Sequence, residues 1–233
     1  MDPVTCLLSY GLVCSPPAAA GAEPVAAIAQ VPAPAPKTAT DVLVRVQRYH
    51  DALSDLTARF RQVYASPVYG TRAESRGTLY LKRPGKMIWD YEKDEDPDFY
   101  ADGKTLWVVE RDTRQVVKKD VAGSDFAGAV EFLFGGAKLL DAFYVRFASS
   151  ALEKRYGMAG HRVVELKPKK PNPHYKRLLL VVEPATGRVD AFVVRNADDS
   201  INHFVLSDMK PNTGLSAARF RFRPPRGYDV VEE

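Results

Sequence analysis

Few side chains in this chain of 233 residues could carry out catalytic chemistry. Its four histidines, His50, His161, His174 and His203, could serve as general bases or metal ligands, but none has a carboxylate or a second histidine at ligand spacing. The sequence also lacks the Gly-x-Ser-x-Gly and His-Glu-x-x-His motifs of common hydrolases. We therefore expect no metal site, no cofactor and no enzymatic activity. A hydrolase is the enzymatic alternative.

Both cysteines, Cys6 and Cys14, lie within residues 1–22, which have the pattern of a secretory signal peptide. An apolar run there is followed by Ala20-Gly21-Ala22, the small-x-small pattern that precedes signal cleavage. We predict that cleavage after this pattern leaves a mature chain without cysteine, which excludes a thiol nucleophile and a disulfide bond. A lipid anchor at Cys14 is not expected, because Val13 stands where a lipoprotein signal carries a small residue.

Charge and hydropathy exclude two further classes of protein. The formal net charge of +4 is small, whereas a nucleic-acid binder concentrates Lys and Arg in a stripe. The densest group of basic residues, over 167–177, is interrupted by prolines and indicates a solvated loop. No stretch reaches the roughly 18 consecutive apolar residues of a membrane-spanning helix. We therefore expect neither a nucleic-acid binder nor a membrane-spanning protein.

One folded domain is predicted to account for most of the chain. Residues 23–38 are rich in proline and alanine, a composition typical of an extended linker. The domain is then predicted over residues 39–233. It begins with a helix from Thr40 or Asp41 to about Phe60, because apolar residues recur there at alternating spacings of four and three.

Short strands dominate the remainder of the sequence. From Gln62 onward, some ten segments rich in aromatic and branched residues are separated by turn pairs such as Asp102-Gly103. Helices are predicted over Ser124–Phe134 and Ala137–Phe143. The pattern predicts an α+β fold with one large antiparallel sheet, which must curl or close, and with helices covering its concave face.

More large apolar side chains are available than a core beneath one thin sheet requires, and this surplus indicates a cavity. The predicted helix over Ser124–Phe134 is apolar on nearly all sides, so it must be covered more than once or face an apolar ligand. For each residue singly, a place in a solid core is the alternative. The candidate cavity residues are Leu53, Leu56, Tyr80, Met87, Trp89, Tyr91, Phe99, Trp107, Phe126, Val130, Leu133 and Phe134.

Three short motifs follow one another along the chain. Residues 81–91 place Lys-Arg-Pro before a turn and a tryptophan after it, residues 102–107 read Asp-Gly-Lys-Thr-Leu-Trp, and residues 220–227 read Phe-Arg-Phe-Arg-Pro-Pro-Arg-Gly. With the helix before the first strand, they span about residues 40–230, and over this span the sequence resembles the LolA family of periplasmic carriers of outer-membrane lipoproteins. The resemblance implies an incomplete β-barrel with helices over its concave face.

The resemblance also implies a function and partners. A carrier of this kind binds the acyl chains of lipoproteins in a hydrophobic cavity. It receives them from an inner-membrane lipoprotein-releasing transporter and passes them to an outer-membrane receptor. We therefore expect a monomer in the periplasm. The alternatives are an outer-membrane lipoprotein receptor of the LolB kind and an envelope module that binds a lipid signal or a regulatory protein.

Within the first motif, the resemblance implies that Arg83 holds the covering helices closed. The alternative is an ordinary exposed turn arginine. Strict alternation across a two-residue turn predicts two sets of side chains on opposite faces: Arg83, Leu79, Leu81 and Ile88 on one, and Tyr80, Met87, Trp89 and Tyr91 on the other. Alternation alone leaves open which face is concave.

Overall fold

Strands make up most of the structure. The computed structural model describes residues 35–121 and 138–232, and in these residues twelve strands form one sheet. The strands are β1 (Asp55–Ser66), β2 (Thr71–Lys82), β3 (Lys86–Tyr91), β4 (Asp98–Asp102), β5 (Thr105–Glu110), β6 (Gln115–Asp120), β7 (Phe143–Phe147), β8 (Arg162–Pro168), β9 (Tyr175–Val182), β10 (Val189–Asn196), β11 (Ile201–Pro211) and β12 (Asp229–Glu232). The helices are α1 (Ala39–Asp51), α2 (Leu139–Ala142), α3 (Ser150–Tyr156) and a 3₁₀ turn at Ala217–Phe220.

The strands follow the order β12-β6-β5-β4-β3-β2-β1-β11-β10-β9-β8-β7. Neighbouring strands are antiparallel, except that β12 pairs with β6 in parallel. β12 and β7 form the two ends of the sheet and are not paired with each other. The predicted fold, a large sheet in an incomplete barrel, is therefore confirmed, and the parallel β12 is the one departure from an antiparallel sheet.

Aromatic contacts show how strongly the sheet curls. Trp89 on β3 and Phe192 on β10 are separated by four strand intervals, or about 19 Å along a flat sheet. Their ring centroids nevertheless lie 6.5 Å apart. The two strands therefore face each other across a concave surface.

Helix α1 begins at a capping box. The Thr38 hydroxyl accepts a hydrogen bond from the Asp41 amide, and the Asp41 carboxylate accepts one from the Thr38 amide. Val42, Leu43 and Val46 are fully buried on the face that packs into the concave core. This helix is one of the elements that cover the concave face.

Gly187, in the turn between β9 and β10, allows α1 to approach closely. A Cβ atom there would lie 2.3 Å from the carbonyl carbon of Arg45 on α1, and the backbone φ of +84° favours glycine. The Arg45 guanidinium donates to the Pro184 carbonyl at 2.8 Å in the same turn. The position of α1 is therefore set by contact between two main chains.

The first predicted helix was wrong in extent. The first helix ends at Asp51 instead of Phe60, because β1 pairs with both β2 and β11 from Leu56 onward and these ladders satisfy its backbone groups. α3 follows β7 and was not predicted from the sequence. After β11 the chain continues as the 3₁₀ turn and an irregular segment before β12.

The sheet carries a separate apolar cluster on each face. The larger cluster lies on the concave face and includes alternate residues of β10, Phe192 and Val194. The smaller cluster lies on the convex face, where α3 covers Val193 and Leu179. Strict alternation along the central strands therefore separates two environments by the thickness of one sheet.

Several predictions concern other parts of the chain. The signal peptide over residues 1–22, most of the linker over residues 23–38 and the helix over Ser124–Phe134 lie outside the described residues and stay predictions. Among the helices of residues 35–121 and 138–232, none has the length and apolar character needed to span a membrane.

Candidate functional site

A group of aromatic rings covers the middle of the concave face. The ring centroid of Phe60 lies 4.7 Å from that of Trp89 and 4.9 Å from that of Tyr91, both in edge-to-face geometry. Phe204 on β11 stacks on Phe192 at 4.7 Å and lies 5.0 Å from Trp89. Strands from both halves of the sheet thus contribute to one apolar surface, which suits aliphatic ligands.

Gly77 on β2 makes room for this group. An added Cβ atom would lie 2.1 Å from the Asp90 carbonyl oxygen and 2.6 Å from the Phe60 ring. Glycine is depleted in strands unless a close approach requires it. A lone glycine within a predicted strand was therefore a usable signal, although the sequence could not identify the ring that approaches it.

A cavity of about 610 Å³ opens beside these rings. This volume falls within the roughly 300–1,000 Å³ of typical ligand sites. The described residues that line it are Gln62, Trp89, Tyr91, Phe99, Leu106, Val108, Lys119, Pro173, His174, Phe192, Val194, Asn196, Ala197, Asp198, Asn202 and Phe204. Its walls are mostly apolar, and most of its polar side chains lie near the turn between β10 and β11, with Lys119 on β6 as an exception.

Three side chains form a hydrogen-bonded chain at the polar side of the cavity. The Tyr91 hydroxyl donates to the Gln62 amide oxygen at 2.5 Å, and the Gln62 amide nitrogen donates to the Asn202 side-chain oxygen at 2.7 Å. Burial raises the pKa of Tyr91, so its hydroxyl remains a donor throughout the physiological range. The chain fixes the Tyr91 ring against the aromatic group.

The structure brings six of the candidate cavity residues to the concave face. Trp89, Tyr91 and Phe99 line the cavity. Leu53, Leu56 and Met87 lie in the continuous core around it. Phe192, Val194 and Phe204 also line the cavity but were not among the candidates, because the sequence does not give the phase of β10 and β11 relative to the concave face.

Tyr80 and Trp107 lie on the other face of the sheet. The Arg219 guanidinium lies 4.5 Å from the centroid of the Tyr80 ring, and Trp107 packs against Phe222 at 5.5 Å. Both thus contact the segment that follows β11, away from the cavity. The remaining four candidates, Phe126, Val130, Leu133 and Phe134, lie outside the described residues.

The loop between β2 and β3 has three residues, not two. Lys82 pairs with Lys86, so Leu81 lies opposite Met87 and Leu79 lies opposite Trp89. The extra residue brings these four side chains to the concave face and leaves Tyr80 and Ile88 on the convex face, which corrects the predicted sets. Gly85, at φ +63°, supplies the left-handed conformation that this longer loop needs.

Arg83 lies in this loop, beside the C-terminal end of α1. Its amide donates to the Ser54 carbonyl at 2.9 Å, and its guanidinium lies 3.7 Å from the Asp51 carboxylate. Its side chain is 29% exposed, so it is not free in solvent. Burial, and then the Arg83 charge, lower the pKa of the neighbouring His50 to about 4.

His161 offers little for catalysis. His161 has both ring nitrogens engaged: Nε2 lies 2.7 Å from the Asp190 carboxylate and Nδ1 lies 3.0 Å from the Ala159 carbonyl. Burial lowers the pKa of His161, but the hydrogen bonds to Asp190 and the Ala159 carbonyl, together with the charges of Asp190 and Glu183, outweigh it, and the net shift is upward. A protonated imidazole with two acceptors has no free lone pair for general base catalysis. Within the described ranges, no three His, Cys, Asp or Glu side chains come together as a metal site.

Comparison with known proteins agrees with this architecture. The family model described as "Outer membrane lipoprotein carrier protein LolA" matches residues 51–223. A protein named outer-membrane lipoprotein carrier protein in Cupriavidus taiwanensis is 30% identical over 202 residues, which cover 86% of this chain and 91% of that protein. One of the same name in Bordetella pertussis is 29% identical over 218 residues, which cover 92% and 97%.

The fold also occurs in a solved structure of low sequence similarity. An uncharacterized conserved protein from Thermus thermophilus has a TM-score of 0.51 and 13% identity, with 84% of this chain and 99% of that chain covered. This likeness concerns the fold alone. The match of the family model over residues 51–223 shows that the chain belongs to the LolA family.

Proposed function

We propose that the protein is a non-enzymatic carrier that moves lipoproteins through the periplasm from the inner to the outer membrane, with their acyl chains in the concave cavity. The observation that carries the proposal is the apolar cavity of about 610 Å³ in a sheet whose two ends are unpaired. The names of the relatives support the same function, since both are called outer-membrane lipoprotein carrier protein.

The size of the hydrophobic effect explains why such a cavity is needed. Each methylene moved out of water contributes about 0.8 kcal/mol, so one long acyl chain contributes on the order of 10 kcal/mol. A carrier must provide a comparable apolar surface and still release its cargo. The concave face of a sheet that is not closed provides the apolar surface. Release is possible because a helix such as α1 can move relative to the sheet without breaking a strand ladder.

The proposal includes the partners that a carrier requires. The protein would be loaded by an inner-membrane transporter that releases lipoproteins and unloaded by an outer-membrane receptor, and it would act as a monomer. Mass spectrometry of the mature protein tests whether it is released into the periplasm. If the signal peptide is cleaved as proposed, the mature chain should begin at Glu23. An acylated Cys14 would instead indicate an anchored receptor.

Filling the cavity is the direct test of cargo binding. Val108 on β5 is half-buried and lines the cavity. We expect Val108→Trp to weaken binding of the uncharged methyl ester of a pyrene-labelled hexadecanoate by about tenfold or more, because excluding only two methylenes costs this much. Fluorescence titration of the purified mature chain measures the affinity.

Val205→Trp provides the matched control. Val205 is also half-buried but packs against the convex cluster. Equal loss of affinity in both variants, or none in Val108→Trp, would contradict acyl-chain binding in the concave cavity.

Arg83 is proposed to hold α1 against the sheet. Arg83→Leu should lower the release of lipoprotein from inner-membrane vesicles several-fold. The reason is that Asp51, at the C-terminal end of α1, loses Arg83 as its charged partner. An ion pair this accessible contributes only about 1 kcal/mol or less to folding, so the free energy of unfolding should change little. Arg48→Leu, at an exposed arginine of α1, is the control. Unchanged release by Arg83→Leu would overturn this function.

A further inference from the structure

A second pocket lies on the convex face, with the sheet between it and the cavity. Its volume is about 330 Å³. It is enclosed by α3, by strands β9 to β11 and by Pro67 at the tip of the β1–β2 hairpin. The residues that line it are Pro67, Leu152, Arg155, Tyr156, Arg177, Leu179, Val193, Arg195, Asp199 and Ile201.

The floor of this pocket is aliphatic. Leu179 and Val193 lie opposite each other on β9 and β10 and are both buried. Leu152 on α3 and Ile201 on β11 are half-buried at its sides. The surface is thus made for an apolar group, and no part of it is shared with the concave cavity.

The rim of the pocket is strongly basic. Arg177 and Arg195 are neighbours across β9 and β10, and Arg155 extends from α3 with its guanidinium 5.3 Å from the Tyr156 ring centroid. Against these three cations the pocket has one anion, Asp199, which accepts from Arg195 Nε at 2.9 Å.

The arginines at the rim retain capacity for a ligand. Arg177 pairs with Glu165 at 3.1 Å. A guanidinium has five N–H donors, so an ion pair with one carboxylate does not exhaust it. Three such groups beside two carboxylates, Asp199 and Glu165, leave the rim with an excess of positive charge and of donors.

We propose that this convex pocket binds an amphipathic anion with a single aliphatic chain. The chain would lie on Leu179, Val193 and Ile201, and a carboxylate or phosphate head would accept hydrogen bonds from the arginines of the rim. Oxygen anions are the matched partners of guanidinium groups, and hydrogen bonds between the two charged groups are about twice as strong as neutral ones. The site is additional to the transport of cargo in the concave cavity.

The isoleucines allow this site to be observed by itself. The chain has three, Ile28, Ile88 and Ile201, and of the two within residues 35–121 and 138–232 only Ile201 lines the convex pocket. Methyl-labelled isoleucine therefore gives three NMR signals. Titration of the mature chain with octanoate or octyl phosphate should shift the Ile201 signal and leave that of Ile88 in place. In a Trp107→Phe variant, the fluorescence of Trp89 reports separately on the concave cavity.

The head group and its partner are tested by two comparisons. The Ile201 signal should show that uncharged octyl glucoside binds the convex pocket about tenfold more weakly than the anions do. Arg155→Gln should lower the affinity for octanoate by a similar factor. Lys154→Gln removes the same charge from an exposed neighbour on α3 that does not line the pocket, and should have no effect.

Tighter binding of octanoate than of octyl phosphate would support the proposal with a carboxylate head group. Tighter binding of octyl phosphate would support it with a phosphate head group. An unshifted Ile201 signal, equal affinity for octyl glucoside, or equal effects of Arg155→Gln and Lys154→Gln would overturn it. None of these results would bear on the concave cavity, which the pyrene-labelled probe tests independently.

Discussion

Trp89→Ala is expected to lower the free energy of unfolding by about 4 kcal/mol, the typical cost of removing a large aromatic side chain from a packed core. Trp89 is 1% exposed and contacts Phe60, Phe192 and Phe204 from three different strands. Its removal should also weaken binding of the pyrene-labelled acyl probe, because the cavity loses part of its wall. Urea denaturation and probe titration measure the two effects.

Trp107→Ala is the natural comparison, since the chain contains two tryptophans. Trp107 is half-buried on the opposite face and packs against Phe222. We expect a smaller loss, of about 1–2 kcal/mol, and unchanged binding of the acyl probe. Loss of probe binding in Trp107→Ala alone would mean that the cargo lies on the convex face, contrary to our proposal.

Acidification should destabilise the protein through His50. Burial, and next the charge of Arg83, lower the pKa of His50 from 6.5 to about 4, while Asp51 acts in the opposite direction. The folded state therefore binds this proton less readily than the unfolded state. His50 has no effect on stability above about pH 6.5, and its contribution falls by about 3 kcal/mol as the pH drops to 4.

The test is the difference between two pH profiles of the free energy of unfolding. His50→Gln should remove the loss between pH 6.5 and 4. His161 acts with the opposite sign: its pKa is raised, so its stabilising contribution is complete below pH 6.5 and is lost as the pH rises through the raised pKa. A profile of His50→Gln parallel to that of the natural chain would contradict the burial of a neutral imidazole at the end of α1.

The sequence predicted the curled sheet, the helical cover and the apolar character of the concave face, because hydrophobic period and turn residues determine these features locally. The residues at which helices and strands begin and end were harder to predict. The helical spacing from Val42 to Phe60 continues into β1, and only the pairing of β1 with β2 and β11 shows that a strand begins at Asp55. Local periodicity contains no information about such long-range partners.

The assignment of side chains to faces depended on one loop. A single additional residue between Lys82 and Lys86 moves Met87 and Trp89 to the face that carries Leu79 and Leu81. The basic rim of the convex pocket could not be predicted from the sequence for a related reason. Arg177 and Arg195 are 18 positions apart and become neighbours only through the β9–β10 register.

A sheet that stays open for cargo leaves two edges whose backbone groups could pair with any unfolded chain nearby. Here one edge is β7, five residues long, whose Arg146 side chain is 73% exposed. The other is the four-residue β12, which covers β6 and is exposed along its length, with a carboxylate at each end in Asp229 and Glu232. Short, charged edges are poor templates for strand addition. The shortness of both strands therefore limits the template that an unfolded chain could pair with, although Tyr144 and Phe147 on β7 and Val230 and Val231 on β12 are exposed.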